Sequence, residues 1–326
     1  MTPTFDILRG IVSPSLRKKL VILLNNYKSQ KSGIRLLNPS ALLKREGDLK
    51  FSNGFILPFN ERNKEKIINL CAFILANDVC FVDQSKELLP IYSTCWKFYN
   101  DFPYPYIATP SGIKFELDFD ILIMAETFLY DTHFIDFNLT GKEILEAGGY
   151  IGDTALYFAE KGAIVHSFEP NPANNFIFFK NLSLNPALSK RITLHYCALG
   201  LDGRFNIPSD FSGRSSIYDK TNKSFSVKSK SLKSVLNYCN IVKPDILHLD
   251  VKGAEWDILD QDEISLFKRV RIEYNSRIIN NSQTIDSALQ RLIGHGFKTR
   301  VFKHNPLKFS LADHGTIDAI KEDYEI

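Results

Sequence analysis

The densest group of chemically capable residues is Glu146-Ala-Gly-Gly-Tyr-Ile-Gly-Asp153. It follows an apolar strand-like run and opens a helical one, the context in which a glycine loop carries meaning. Gly148 and Gly149 permit a tight turn and a close backbone approach to a ligand. Gly152 permits the helix to pack closely on the strand. The free N–H groups at the helix start face the ligand. Two cofactor readings compete. The dinucleotide pattern G-x-G-x-x-G falls on Ala147, Gly149 and Gly152, with alanine in the first place. A methyltransferase loop, acidic-x-G-x-x-x-G, falls on Glu146, Gly148 and Gly152 without departure. The carboxylate of Glu146 favours the second reading. It faces a cationic amine well and a pyrophosphate badly, because like charges repel. A tight turn that binds nothing is the structural alternative.

A second acid, Glu169, ends the run His166-Ser-Phe-Glu169-Pro-Asn-Pro172, one strand–helix–strand unit further on. A carboxylate there accepts both hydroxyls of an adenosine ribose, in NAD enzymes as in others. It supports a nucleoside without saying which, and a capping or salt-bridged glutamate is its structural alternative. Pro170 and Pro172 fix the backbone as the chain leaves the strand. In Asp245-Ile-Leu-His-Leu-Asp-Val251, His248 and Asp250 share a face by the two-residue period. Asp250 falls at the carboxyl end of the strand, where ligands bind in such sheets. A weakly nucleophilic hydroxyl acceptor benefits from a general base. Asp250, Glu273 and His248 are the candidates, with a buried hydrogen-bonded histidine as the plainer reading of His248. Lys252 and Glu255 can instead pair with each other across one helical turn.

The elements that position these residues alternate strand and helix from residue 112 onward, which predicts a mostly parallel α/β sheet. Strands are predicted at Glu143–Ala147, Ile164–Phe168, Ile192–Tyr196, Asp245–Val251, Val270–Tyr274 and Phe297–Phe302, with Thr316–Ile320 closing the sheet. Helices are predicted at Asp153–Lys161, Ala173–Leu184 and Ser287–Gly294. A strand at Ile113–Leu117 and a short helix at Ile121–Leu129 precede them. Gly203–Lys233, rich in Ser, Lys and Gly, reads as an inserted hairpin or loop. The first 110 residues read as a mainly helical accessory domain, with helices at Leu16–Asn26 and Glu61–Ala76. Asp101-Phe-Pro-Tyr-Pro-Tyr106 breaks regular structure and divides it from residues 111–326.

Four blocks in order resemble the FkbM family of S-adenosylmethionine-dependent methyltransferases. They are Glu146 to Phe158; Ser-Phe-Glu-Pro-Asn-Pro172 with Lys180-Asn-Leu-Ser-Leu-Asn185; Asp250-Val-Lys-Gly-Ala-Glu255; and Arg271-Ile-Glu-Tyr274. The resemblance covers Gly112–Lys321 and leaves the N-terminal region outside. It implies a class I methyltransferase fold, a Rossmann-like seven-stranded sheet with one antiparallel strand. It implies methyl transfer from S-adenosylmethionine, often to a hydroxyl of a sugar or small molecule. It implies cofactor contacts from Gly148, Gly149, Gly152 and Glu169. The expected contact set also takes in Glu146, Asp153, Pro170, Asn171, Cys197, Ala198 and Asp250. Lys252 departs from the family, which commonly has glutamate there.

Composition sets the outer limits. The chain has 326 residues, 44% hydrophobic and 24% charged, an ordinary globular balance that excludes collagen, coiled coil and wholesale disorder. The five cysteines are scattered with no C-x-x-C, so neither a disulfide framework nor a cysteine-rich zinc site is expected. The seven histidines show no H-x-x-x-H or H-E-x-x-H, and no metal is expected. A reducing, cytoplasmic location fits, with no secretory signal and no membrane span. Net charge is only +3, but residues 1–66 hold 13 Lys/Arg against 5 Asp/Glu. That segment admits a nucleic-acid or anionic partner, with a solvated surface as the plainer reading. The leading expectation is methyl transfer to a small-molecule or glycan acceptor. An NAD(P)-dependent oxidoreductase and an RNA-binding or RNA-modifying methyltransferase are the alternatives.

Overall fold

The computed structural model describes residues 35–52, 56–61, 64, 67–68, 71, 75, 79–82, 96–99, 106–116, 127–128, 138–208, 224–251, 253–275, 284–303, 314–322 and 324. The chain divides into two compact units, Met1–Tyr130 and Asp131–Ile326. In the first unit β1 (Gly47–Lys50) pairs antiparallel with β2 (Ile56–Phe59). β3 (Val79–Val82), β4 (Trp96–Tyr99), β5 (Tyr106–Ala108) and β6 (Lys114–Glu116) form a second sheet in that order. The division falls later than residue 110 because β5 and β6, on either side of it, pair with each other. Among the described residues of this unit strands outnumber helical positions, and the expectation of a mainly helical first domain falls largely on residues outside the described set. Trp96-Lys-Phe-Tyr99 and Tyr106-Ile-Ala108 are rich in aromatic and β-branched residues, which favour strands. Helix is present at positions 64, 67, 68, 71 and 75, within the predicted Glu61–Ala76. The predicted Leu16–Asn26 helix lies outside the described residues.

The second unit is built on seven strands: β7 (Glu143–Ala147), β8 (Ile164–Phe168), β9 (Ile192–His195), β13 (Ile246–Leu249), β14 (Arg269–Asn275), β15 (Lys298–Lys303) and β16 (His314–Ile320). Their spatial order is β15-β16-β14-β13-β7-β8-β9. All neighbouring pairs are parallel except those of β16, which runs antiparallel to both β14 and β15. This is the class I methyltransferase arrangement, a Rossmann-like sheet with one reversed strand. The last strand inserts between β14 and β15 instead of extending the edge. The central strands β7 and β13 are buried along almost their whole length, as a parallel sheet covered on both faces requires.

The inserted segment is a hairpin in its described part: β11 (Gly203–Pro208) pairs antiparallel with β12 (Ser224–Lys230), which also receives β10 (Ala198–Leu199). The helices are α1 (Asp153–Glu160), α2 (Pro172–Leu184), α3 (Pro186–Ser189), α4 (Leu232–Cys239), α5 (Glu255–Leu259) and α6 (Ile285–Gly294). Their starts are locally encoded. Asn171 caps α2 by accepting from the Ala173 N–H, with Pro172 at the first turn. Ser231 caps α4, and Thr284 with Ser287 forms a capping box on α6. Among the described residues no helix is long and apolar enough to cross a membrane.

The register of the sheet brings one polar residue from each of five strands into line. Ser167 lies opposite Glu146, Glu146 opposite His248, His248 opposite Arg271, and Arg271 opposite Asp318. All five are buried. Asp318 accepts from Arg269 Nε at 2.8 Å, Arg269 Nη2 at 3.1 Å and Arg271 Nη1 at 3.3 Å. One carboxylate therefore serves two guanidiniums that have no access to water. Removing one member of a buried ion pair is costly because the other charges stay behind. Asp318→Ala is expected to lose about 3–5 kcal/mol of stability in denaturant unfolding. A loss below about 1 kcal/mol would contradict this account of the core.

Candidate functional site

The glycine loop leaves β7 and folds back over the end of β8. The Gly148 and Gly149 N–H groups both donate to the Phe168 carbonyl, at 3.0 and 3.2 Å. Tyr150 follows with φ +42°, a left-handed conformation that non-glycine residues seldom hold. Its N–H donates to Glu169 Oε2 at 2.9 Å, which fixes it there. Gly152, at φ +83°, then starts α1.

The protein's own packing adds to the turn that positive φ at Gly148 (+90°) and Gly152 (+83°) demands of the glycines. A Cβ on Gly148 would stand 2.0 Å from the Asp250 carbonyl oxygen. On Gly149 it would stand 2.1 Å from Ser167 Oγ, and on Gly152 2.2 Å from the Phe178 ring. The protein's own packing forces all three, before any ligand arrives. The loop is clamped between β8, β13 and α2.

Four carboxylates gather around this loop. Glu146 is completely buried and its Oε2 accepts from Ser167 Oγ at 2.5 Å. Its Oε1 has no hydrogen-bond partner. Burial pushes the carboxyl up to about 8, and the charges of Asp153, Asp250 and Glu169 add to the rise against the Ser167 bond. Glu169 accepts from the N–H groups of Tyr150 and Asn171 at 2.9 and 2.7 Å, and from Asn174 Nδ2 at 3.3 Å. Burial still holds it up at about 7, with Asp250 contributing. A carboxylate offers about four acceptor sites. These three bonds take one site on Oε2 and two on Oε1, which leaves room for a hydroxyl on Oε2. Asp153 is the first residue of α1 and is buried. Asp250 lies just past β13, half-buried, with its N–H donating to the Ala147 carbonyl at 3.0 Å.

The remaining candidates divide. Glu273 stands one residue beyond the Leu249–Ile272 pair, level with Asp250 on the neighbouring strand, and is half-buried. His248 lies deeper, in the polar row, 4% exposed and edge-on to Phe158 at 5.2 Å. Asn171 is engaged as the cap of α2 and as a donor to Glu169. Cys197 and Ala198 are buried just after Tyr196, which is 65% exposed. Glu255 accepts from the Gly253 N–H at 2.7 Å. Lys252, its expected partner, lies outside the described residues.

Several residues at the site had not been singled out: Ser167, Tyr150, Asn174 and a wall of aromatics. Helix α2 turns its polar side inward. Asn174, Asn175 and Asn181 are buried, while Phe176 and Phe179 are 63% and 59% exposed. Asn175 Nδ2 donates to the Glu169 carbonyl and Asn181 Nδ2 to the Ile151 carbonyl, so the asparagines hold the site's backbone. The outward phenylalanines, with Pro170, Tyr196, Arg204 and Lys228, line an open cavity of about 590 Å³ beside the end of β8. The signal was present in the run Asn174-Asn-Phe-Ile-Phe-Phe179, whose polar and aromatic positions are reversed from an ordinary surface helix.

A cationic nucleoside cofactor fits these residues. The unpartnered Glu146 oxygen and its acidic neighbours call for positive charge, and Glu169 retains an acceptor site for a ribose hydroxyl.

Comparison with known proteins agrees. Residues 146–299 match the model described as the methyltransferase FkbM domain. A relative named Methyltransferase 1, from Beauveria bassiana (strain ARSEF 2860), is 29% identical over 159 residues, which are 40% of this chain. The match spans 63% of that relative's length. Among solved structures, precorrin-6y C5,15-methyltransferase from Geobacter metallireducens GS-15 aligns with TM-score 0.35 and 14% identity, over 57% of this chain and 84% of that one. Aeropyrum pernix fibrillarin, in complex with natively bound S-adenosyl-L-methionine, aligns with TM-score 0.33 and 14% identity, over 61% and 74%. The fold assignment rests on the strand order. Over residues 146–299, just under half of its length, this chain is similar to the methyltransferase FkbM domain.

Proposed function

We propose that this protein transfers a methyl group from S-adenosylmethionine to a hydroxyl of a small molecule or sugar, in a reducing cytoplasmic compartment. The observation that carries this reading is the unpartnered oxygen of Glu146 inside a ring of acids. Buried carboxylates with raised affinity for protons are stabilised by a cation and destabilised by a pyrophosphate. That separates the reading from a dinucleotide enzyme.

The bound cofactor supplies an activated methyl group on a positively charged sulfur. Glu169 accepts a ribose hydroxyl. Glu146, with Asp153 nearby, faces the cationic end. Clamping of the loop between β8, β13 and α2 fixes these groups before binding, so little ordering is left to the encounter. Asp250 lies at the strand end next to the loop and takes the acceptor's proton, with Glu273 level with it. The outward rings of Phe176, Phe179 and Tyr196 offer stacking faces for a planar or sugar ring. Arg204 and Lys228 favour an acceptor that carries negative charge.

The calorimetric test uses S-adenosylmethionine, S-adenosylhomocysteine, NAD and NADP. Adenosyl ligands are expected to bind, and Glu169→Ala to weaken them tenfold or more. NAD binding in their place would overturn the reading. The acids make a second, independent expectation. At pH 7, Glu169 (about 7) and Glu146 (about 8) both hold protons for part of the time. A bound cation favours their charged forms, so binding releases protons and tightens as pH rises towards 8. Calorimetry in two buffers of different ionisation enthalpy reads this release. Proton uptake would contradict it. The same groups make the ligand-free fold lose stability as pH rises from the ordinary glutamate value, 4.5, through about 8, because the folded state then binds more protons than the unfolded chain. Glu146→Gln should flatten that slope, which thermal melting across pH measures.

For the base, Asp250→Asn should lower kcat by roughly 10²–10⁴ with the S-adenosylmethionine Kd nearly unchanged. The assay is release of S-adenosylhomocysteine with whichever hydroxyl acceptor a screen identifies. An unaffected kcat would pass the role to Glu273.

A further inference from the structure

On the sheet face opposite Glu146 and Ser167 the fold assembles a group that no spacing in the chain announces. His166 lies in β8 between Val165 and Ser167, so it points away from the polar row. His195 ends the edge strand β9, and Cys239 is the last residue of α4. One donor atom from each lies within 4.8 Å of the other two. We propose that His166 Nδ1, His195 Nε2 and Cys239 Sγ bind a zinc ion.

The distances carry the argument. A tetrahedral zinc with its usual bond lengths sets the N···N edge at roughly 3.4 Å and the N···S edge at roughly 3.6 Å. His166 Nδ1 and His195 Nε2 are 3.3 Å apart, and Cys239 Sγ is 3.8 Å from His195 Nε2. The neighbourhood of His166 supplies a separate observation. Its other ring nitrogen, Nε2, stands 3.5 Å from Glu143 Oε1. A carboxylate there holds the proton on Nε2 and leaves the Nδ1 lone pair for the metal, as metal-ligating histidines are usually arranged. Both imidazoles are kept neutral chiefly by burial, which leaves each a lone pair to donate. The cysteine must give up its proton. The Sγ–H bond breaks, the Sγ–zinc bond forms, and the proton passes to solvent, one per ion bound. Lys230 opposes a cation at this place and Glu143 favours it. All three ligands are half-buried, which leaves a fourth position to water.

Such an ion ties the edge strand β9 to α4. It also reaches the cofactor site without belonging to it. Phe168 stacks on His195 at 4.5 Å, and the Glu169 N–H donates to the His195 carbonyl at 3.1 Å. The proposal does not depend on the methyl-transfer reading.

The full chain, purified reduced and treated with chelator, is titrated with Co²⁺ as a spectroscopic probe for the zinc position. The expected result is one ion per chain, with thiolate-to-metal charge-transfer absorption and tetrahedral ligand-field bands, both displaced by Zn²⁺. Cys239→Ser should lose the charge-transfer band, while Cys197→Ser, which changes a neighbouring thiol, keeps it. Glu143→Gln should weaken binding about tenfold. Zn²⁺ should raise the melting temperature of the unaltered protein. No charge-transfer absorption from the unaltered protein in excess Co²⁺ would overturn the proposal, leaving a histidine–histidine hydrogen bond beside a thiol. So would a band that survives Cys239→Ser.

Discussion

Everything at the cofactor end turns on a carboxylate taken wholly out of water. Glu146 lies on the central strand of a seven-stranded sheet, with one oxygen on Ser167 and the other on nothing. Burying a charge this way is unfavourable unless something of opposite sign is brought to it. Three more carboxylates lie within its electrostatic reach. The site is therefore held in a state that a positive ligand relaxes. The glycine loop makes this possible. It packs so tightly on Asp250, Ser167 and Phe178 that positions 148, 149 and 152 have no room for a side chain.

The two faces of the sheet do different work. On one, the register places Ser167, Glu146, His248, Arg271 and Asp318 in a continuous buried row. Charge changes sign along it, acid at the glycine loop and arginine towards β16. The arginine end is anchored by a shared carboxylate, so β16 is fixed by an ion-paired core as well as by its ladder. On the other face, His166 and Phe168 meet His195, where β9 has no further strand beside it. An edge strand needs some restraint against fraying, and a cluster of imidazoles and a thiol provides a place for one.

The strand–helix alternation was plain in the sequence because parallel strands are short apolar runs and their helices carry local caps. Boundaries moved by only a few residues. Glu146, Glu169 and the glycines were legible because their order along one strand–turn–helix–strand unit is also their order in space. What the sequence hid was long-range. The strand at 314–320 read as a closing strand, yet it inserts between two others, since nothing local marks where an antiparallel return will dock. Arg269, Arg271 and Asp318 meet only through that insertion. His166, His195 and Cys239 come from three separate elements, so no motif spacing could join them. The expected pairing of Lys252 with Glu255 involves a residue outside the described set, while Glu255 Oε2 accepts from the Gly253 N–H. In the N-terminal region the short strands Val79–Val82 and Trp96–Tyr99 were not singled out, as periodicity over four residues decides little.

Helix α2 shows how the packing of the glycine loop is tied to the surface beside it. A surface helix ordinarily hides its phenylalanines. Here Asn174, Asn175 and Asn181 go inside because the backbone around Glu169 and Ile151 has carbonyls and a carboxylate to satisfy. Phe178 alone goes in with them, and its ring occupies the space that glycine at 152 leaves open. The other two rings are turned outward, onto the rim of the cavity. One helix thus sets both sides of the site. Its buried amides hold Glu169 and the loop, and its exposed rings define the surface a ligand meets next. The polarity that looks inverted follows from the polar groups around Glu169 and Ile151 that the buried asparagines satisfy.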